Sequence, residues 1–428
     1  MSPQAPAPHD PVVTPSKPRL WKVLGPGLIT GASDDDPSGI ATYSQAGAQF
    51  GYGLAWTLLL TYPLMVVVQE ISARIGRGSG QGIAGNMRKH YPPWLVKGIV
   101  PLLLAANVIN IGADLSAMSD SLRLLVPIPH FIGVLGFGAL SIVLQVTMKY
   151  TRYVAVLKWL TLALFAYFGT VLAADVDWGA LARGLVVPEM GWSRDAATTI
   201  VAVFGTTISP YLFFWQASQE AEDIREHPVR EPLTKAPEQT ASAVARIRLD
   251  TIVGMGFSNV VALAIMVTAA ATLNAHGIKD VDSAARAAEA LRPVAGDFAF
   301  ALFALGIIGT GILAVPVLAG SAAYAIGEAA RWTVGLGRDP GEAKAFYATV
   351  ALSTGLGIIL NLAHVDSIRA LFWSAVINGV TAVPVMVCMM LMATRRRVMG
   401  PAVVSRRLLL VGWLTTLLMG GMAVAMMF

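Results

Sequence analysis

Gly25-Pro26-Gly27-Leu28-Ile29-Thr30-Gly31-Ala32-Ser33-Asp34-Asp35-Asp36-Pro37-Ser38-Gly39-Ile40 sets three consecutive carboxylates and a proline inside an otherwise apolar stretch. The run from Leu24 to Phe50 is long enough to cross a bilayer, and the acids and Pro37 fall near its middle. A carboxylate at that depth costs roughly 2.5–3.5 kcal/mol even on lenient insertion scales. Proline removes a backbone donor and frees carbonyls of the preceding turn. A membrane segment that is both charged and unwound at mid-depth lines a place where something polar is bound, and the rest of the chain is read around that expectation.

Composition points the same way. Hydrophobic residues make up 55% of the chain and charged residues 13%, against about 25% charged in soluble domains. The class is an all-α polytopic membrane protein, since helices satisfy their own backbone groups in lipid. The single cysteine, Cys388, has no intrachain disulfide partner. Residues 1–20 hold six prolines and no apolar core, and read as a disordered cytoplasmic tail rather than a cleaved signal peptide. The net charge of +5 is spread over short loops, so no nucleic-acid partner follows from it. The partners expected are the lipid bilayer and a small charged solute, with no obligate protein partner.

Eleven apolar stretches of spanning length can be marked: Leu24–Phe50, Leu54–Ile75, Trp94–Leu125, Phe131–Thr147, Tyr153–Ala174, Ala197–Ala221, Ile247–Leu273, Val294–Trp332, Ala345–Leu362, Ile368–Ala393 and Leu408–Phe428. The eighth has room for a bend near Pro316. With the N-terminus inside, the cytoplasmic loops collect 24 of the 31 basic residues, the bias expected of inner loops. The chain is therefore placed in the inner (plasma) membrane, N-terminus in the cytoplasm and C-terminus outside.

The sixth span carries a second interruption, Phe204-Gly205-Thr206-Thr207-Ile208-Ser209-Pro210-Tyr211. Pro210 lies about as deep from the outer end of its span as Pro37 does from the inner end of the first. The two spans are five apart and run in opposite directions. Paired interrupted helices at matching places of two inverted halves point to a transport site at the midplane. The organisation expected is one transport domain: a first repeat over 21–175, an inverted second repeat over 196–394, and a last span over 404–428.

Gly25-Pro26-Gly27, Asp36-Pro37, Ala41-Thr42 and Ala46-Gly47-Ala48-Gln49-Phe50-Gly51-Tyr52 resemble the first span of the natural resistance-associated macrophage protein (Nramp) family. The resemblance continues through Ala73-Arg74-Ile75-Gly76, Ala113-Asp114-Leu115 and Gly205-Thr206-Thr207-Ile208-Ser209-Pro210. It implies the 5+5 inverted-repeat (LeuT-like) fold with helices 1 and 6 discontinuous, and transport of divalent transition metals, commonly with protons. No resident cofactor is implied; the metal is the substrate and H⁺ the candidate coupling ion.

Carried over position by position, the family's metal-binding aspartate falls on Asp36. Its asparagine falls on Gly39, which offers no side-chain oxygen, and its methionine falls on Ser209. The alanine that offers a backbone carbonyl falls on Thr206, and the histidine after the proline on Tyr211. In the third span the aspartate is kept as Asp114, whereas the glutamate one turn on is Ala117, which puts the usual proton route in doubt. The ligand positions are thus Asp36, Ser209, Thr206, Ser38 and Gly39, with Pro37 and Pro210 as the helix breaks. Without a thioether the set is carboxylate, hydroxyl and carbonyl oxygen, which suits hard ions such as Mg²⁺ and also Mn²⁺.

Asp34, Asp35, Asp114, Asn378 and Tyr211 are candidates for proton handling or for support of the ligands. Three adjacent carboxylates resist being ionised together unless a cation joins them. For Asp114 and Asn378 the plain alternative is a hydrogen bond between helices. All six histidines fall in the tail or in predicted loops. Glu70, Glu220, Glu222, Asp223 and Glu328 read as interfacial charges at inner helix ends, and Met386, Met389, Met390, Met392, Met426 and Met427 as core packing. Gly76–Gly82 reads as a cytosolic loop rather than a phosphate cradle, and no nucleophile–base pair is visible, so an enzyme is not expected. The rival reading is an ion-coupled symporter of amino acids or other organic solutes on the same fold.

Overall fold

The computed structural model describes residues 30–31, 33–147, 164–188, 191, 193–227, 229–361 and 366–427. The expected tail over 1–20, the Gly25-Pro26-Gly27 motif, the start of the first span and the first part of the fifth lie outside these residues.

Every regular element among the described residues is helical. The principal ones are α1 (Pro37–Phe50), α2 (Ala55–Ser79), α3 (Ile83–His90), α4 (Pro93–Arg123), α5 (His130–Thr147), α6 (Phe165–Ala173), α7 (Trp178–Val186), α8 (Arg194–Thr207), α9 (Pro210–Glu226), α10 (Thr240–Thr272), α11 (Ala299–Ala330), α12 (Lys344–Leu360), α13 (Ser367–Ala393) and α14 (Arg406–Ala425). Eight helical units among the described residues are long and apolar enough to cross a membrane, α8 and α9 together counting as one. Helix α12, at 17 residues, matches the expected ninth span. The first and fifth of the eleven expected spans fall partly outside the described residues.

Pro316 sits inside α11, and the helix runs through it. The expected loop Gly76–Gly82 is corrected: residues Gly76 to Ser79 form the last turn of α2. Glycine is needed there for approach rather than for a turn, because a Cβ on Gly76 would stand 2.0 Å from the Ala217 carbonyl oxygen of α9. His90 and His130 likewise lie at helix ends rather than in loops. His90 closes α3, and His130 opens α5 with Nδ1 2.9 Å from Asp120 Oδ1.

Packing places the two breaks in the middle of the bundle. Helix α1 lies along α10, α9 along α2, α8 along α13, and α4 along α11. At Gly47 of α1 a Cβ would stand 2.2 Å from the Met266 carbonyl oxygen of α10, and at Gly205 of α8 it would stand 2.0 Å from that of Ala375 in α13. Backbone thus meets backbone on either side of the two interruptions.

Of the charges expected at the inner interface, Glu70, Glu220 and Glu222 are instead buried and held by partners, while Asp223 and Glu328 are half-buried. Glu70 bonds Arg74 one turn on and stands 3.4 Å from Arg248 of α10; Glu220 of α9 pairs with Arg246 of α10 at 2.5 Å. Glu220 is fully buried and Arg246 is 7% exposed, and Asp223 bonds Arg230. Glu222 accepts from the Tyr324 hydroxyl and from Gly337 N at 2.5 Å. Sequence alone shows charges near helix ends, but not that partners distant in the chain meet them. Met386, Met389, Met390 and Met392 are buried in the core, while Met427 is exposed and packs no core.

Candidate functional site

Both interruptions are built from the same local grammar. Residues 30–31 and 33–34 are helical, Asp35 bends, and Asp36 is extended before α1 begins at Pro37. At φ −71° and ψ 171°, Asp36 is an N-cap. Its Oδ1 accepts from Gly39 N at 2.8 Å and from Ser38 Oγ at 2.5 Å. Pro37 occupies the first helical position, where the missing N–H loses nothing. In the sixth span α8 ends at Thr207, Ile208 and Ser209 leave the helical region, and Pro210 opens α9. The Ser209 hydroxyl donates back to the carbonyls of Gly205 (2.6 Å) and Thr206 (2.8 Å), satisfying two orphaned acceptors at the end of α8.

Asp36 joins the two breaks. Its Oδ2 accepts from Tyr211 Oη at 3.3 Å, and the same hydroxyl stands 3.3 Å from the Ser33 carbonyl oxygen. Gly39 faces the end of α8 closely, for a Cβ there would lie 3.2 Å from Thr206 Oγ1. From the third span, Asn110 Nδ2 donates to Asp36 Oδ2 at 3.1 Å and stands 3.3 Å from Asp114 Oδ2. Asn110 Oδ1 in turn accepts from Asn378 Nδ2 of α13 at 3.2 Å. A continuous polar chain therefore links Asp36, Asn110, Asp114 and Asn378 through the centre of an apolar bundle. Exposure is 1% at Asp36 and 0% at Asp114, Asn110 and Asn378.

The chain is incomplete in a telling way. Asp114 Oδ1 and Asn378 Oδ1 are buried acceptors without a donor in the protein. A buried acceptor without a partner costs about 1–3 kcal/mol, so these oxygens fit a cation or the hydration water around one. Among the described residues no three His, Cys, Asp or Glu side chains converge as a metal cluster. Coordination would therefore rest on mixed oxygens rather than on a cage of acids.

Asp34 and Asp35, also buried, are engaged by α10. Ser258 Oγ stands 2.5 Å from Asp34 Oδ2 and 3.1 Å from Asp35 Oδ1, while Asp34 Oδ1 and Asp35 Oδ2 find no donor. Thr30 bonds the Gln216 side chain of α9, tying the residues before the first break to the helix after the second.

The structure thus gathers Asp36, Ser38, Gly39, Thr206 and Tyr211 at the meeting of the breaks, connects Asp114 and Asn378 to Asp36 through Asn110, and gives Asp34 and Asp35 a separate partner. Asn110 and Ser258 were missed. Asn110 lies one turn before Asp114 on the same helix face, a spacing that could have flagged it. Nothing around Ser258 marks it beyond the need of two acids for a donor.

A cavity of about 770 Å³ opens between the far ends of α1, α8 and α13, lined by Gln45, Arg194, Asp195, Lys279, Arg369 and Phe372 among others. Gln45 is nine residues along α1 from Asp36, roughly 13 Å at helical rise.

A membrane-spanning helical bundle with two helices broken against each other around a buried carboxylate defines a class of integral membrane carriers. Residues 27–428 match the model of the natural resistance-associated macrophage protein-like (Nramp) family, and the chain belongs to that family. It is 25% identical over 401 residues to the divalent metal cation transporter MntH of Deinococcus radiodurans, covering 92% of this chain and 87% of that protein. MntH of Burkholderia ambifaria is 26% identical over 416 residues, covering 94% and 88%. Among solved structures, a manganese transporter of Eremococcus coleocola superposes with a TM-score of 0.76 at 18% identity over 96% of this chain and 87% of that one. The inward-facing form of Mhp1 follows with a TM-score of 0.54 at 15% identity, over 94% and 90%. At those identities the structural likeness carries the fold. These relatives are transporters rather than enzymes, in line with the sequence reading.

Proposed function

We propose that this protein is a secondary transporter that moves divalent metal cations across the plasma membrane, with the substrate bound at the junction of its two broken helices. The observation that carries the reading is the buried Asp36 carboxylate, which caps the restarted first helix while its other oxygen is held by Tyr211 just past the break of the sixth. An ion bound there meets a fixed negative charge, the remaining lone pairs of backbone carbonyls at both breaks, and unpartnered oxygens on α4 and α13. The membership of MntH transporters in the same family supports the metal class.

Selectivity follows from the donor set. Ser209 and Gly39 replace a thioether and an amide, leaving oxygen donors alone, which favours Mg²⁺ or Mn²⁺ over soft ions. Ser209 spends its proton on the α8 carbonyls, so its oxygen lone pairs are what it can offer. Alternating access is supported by paired packing: α1 lies along α10 and α9 along α2, the arrangement expected if each broken helix leans on the second helix of the opposite repeat. This supports the 5+5 inverted organisation over 21–175 and 196–394, while an N-terminus in the cytoplasm and a C-terminus outside rest on the bias of basic residues alone. Protons are a candidate coupling ion through Asp114, Asp34 and Asp35.

The test is uptake into proteoliposomes. Mn²⁺ or Mg²⁺ should accumulate with wild-type protein and fail to do so with Asp36→Ala. Transport of an organic solute without metal flux would refute the reading.

A further inference from the structure

At the end of the bundle where α2, α9 and α11 finish, a pocket of about 420 Å³ is lined by Arg88, Arg225, Arg331 and Arg338 together with Glu328 and Trp332. Four arginines and one carboxylate thus line it, and that carboxylate is already committed, as is Glu222 beside Gly335, which accepts from Leu336 N and Gly337 N. Glu328 accepts from Gly82 N and Gly85 N at 2.9 Å each, capping α3 from another helix. Among the described residues no acid lies within the 4.0 Å ion-pair limit of Arg88, Arg225 or Arg331, and Arg338 meets only Glu342, at 3.8 Å. Arg88 Nη1 is shut off from solvent with no acceptor. Nη1 of Arg225 is held on the Val334 carbonyl at 2.8 Å, which fixes one wall. Trp332 is 44% exposed beside these arginines, an aromatic of the kind found at the headgroup level of a bilayer.

We propose that this pocket binds a phosphate-bearing anion, supplied by the headgroup of an anionic phospholipid of the cytoplasmic leaflet. Guanidinium groups pair with phosphate oxygens through two parallel donors, and clustered arginines between helices on the cytoplasmic side are suited to anionic headgroups. The end of the molecule is the one that the basic-residue bias places inside. A bound phosphate bridges α3, the C-terminal end of α9 and the segment after α11. It therefore ties the second half of the broken sixth helix to the frame around it. The inference does not depend on which ion the transporter carries.

The test uses purified full-length protein in detergent, titrated separately with short-chain phosphatidylglycerol, short-chain phosphatidylcholine and inorganic phosphate. Native mass spectrometry and the melting temperature provide the readouts. Wild-type protein should bind phosphatidylglycerol saturably and phosphatidylcholine weakly. The double variant Arg88→Gln/Arg338→Gln should weaken phosphatidylglycerol binding about 30-fold, as expected for two basic side chains. If inorganic phosphate binds with the same arginine dependence and displaces the lipid, the chemistry stands and the source is free phosphate. Absence of saturable binding of either ligand to wild-type protein overturns the proposal, and needs no variant to fold. Equal binding by wild-type protein and a folded Arg331→Gln variant together with a folded double variant overturns it as well.

Discussion

Asp36→Asn separates the structural from the electrostatic role of the carboxylate. Asparagine is as good an N-cap as aspartate, so the bond from Gly39 N to Oδ1, 2.8 Å in the native protein, survives the substitution. The new Nδ2 replaces Oδ2 and faces two donors, Asn110 Nδ2 and Tyr211 Oη, at 3.1 and 3.3 Å. The tyrosine hydroxyl can rotate to accept. Asn110 cannot turn over without losing its contacts to Asn378 and Asp114. One buried donor is left facing another, at a cost of about 1–3 kcal/mol in stability.

The cost to cation binding is larger. Removing one partner of a buried charge pair costs about 2–5 kcal/mol, which raises the dissociation constant between about 30-fold and a few thousand-fold. Calorimetry with Mn²⁺ and Mg²⁺ on purified protein, alongside thermal melts, reads both quantities. A folded Asp36→Asn protein that binds Mn²⁺ within threefold of wild type would refute the reasoning.

Other substitutions probe different parts of the account. Ser209→Met returns a thioether to the sixth-span break and should shift preference by about tenfold from Mg²⁺ toward the softer Cd²⁺, read as competition in uptake; unchanged competition would contradict the donor-set argument. Ser258→Ala removes the one hydroxyl bonded to both Asp34 and Asp35 and should lower stability by about 1–3 kcal/mol, measured by thermal melts. Gly205→Ala drives a methyl against the Ala375 carbonyl and should cost about 1–3 kcal/mol, with less folded protein recovered by size-exclusion chromatography. Arg246→Met leaves Glu220 buried and unpaired, costing about 3–5 kcal/mol, whereas Arg246→Met combined with Glu220→Leu should recover most of the loss in the same melts.

The two breaks were legible in the sequence because their signals are local. An acid before a proline in an apolar run announces a cap and a restart, and Pro210 repeats the restart without the acid. What remained hidden depends on partners far apart in the chain. Asn110 reads like any polar residue of a membrane helix until the fold sets it beside Asp36, 74 residues earlier. Ser258 becomes a partner for Asp34 only because α10 packs against the first span, 224 residues away. The inner acids misled for the same reason: near helix ends charges are expected to be wet, yet Glu220 is buried against Arg246 of α10. Sequence alone does not say what the glycines at 31, 47, 76 and 205 make room for, and that appears only where a neighbouring carbonyl occupies the space of a Cβ.

The most direct measurement is anomalous scattering from crystals of the protein soaked in Mn²⁺. A peak is expected at the bonding distance of a hard oxygen-ligated ion from an Asp36 carboxylate oxygen, beside the end of α8. A bound ion held only by Asp34, Asp35 and Ser258, or lying outside the junction of the two broken helices, would contradict that expectation.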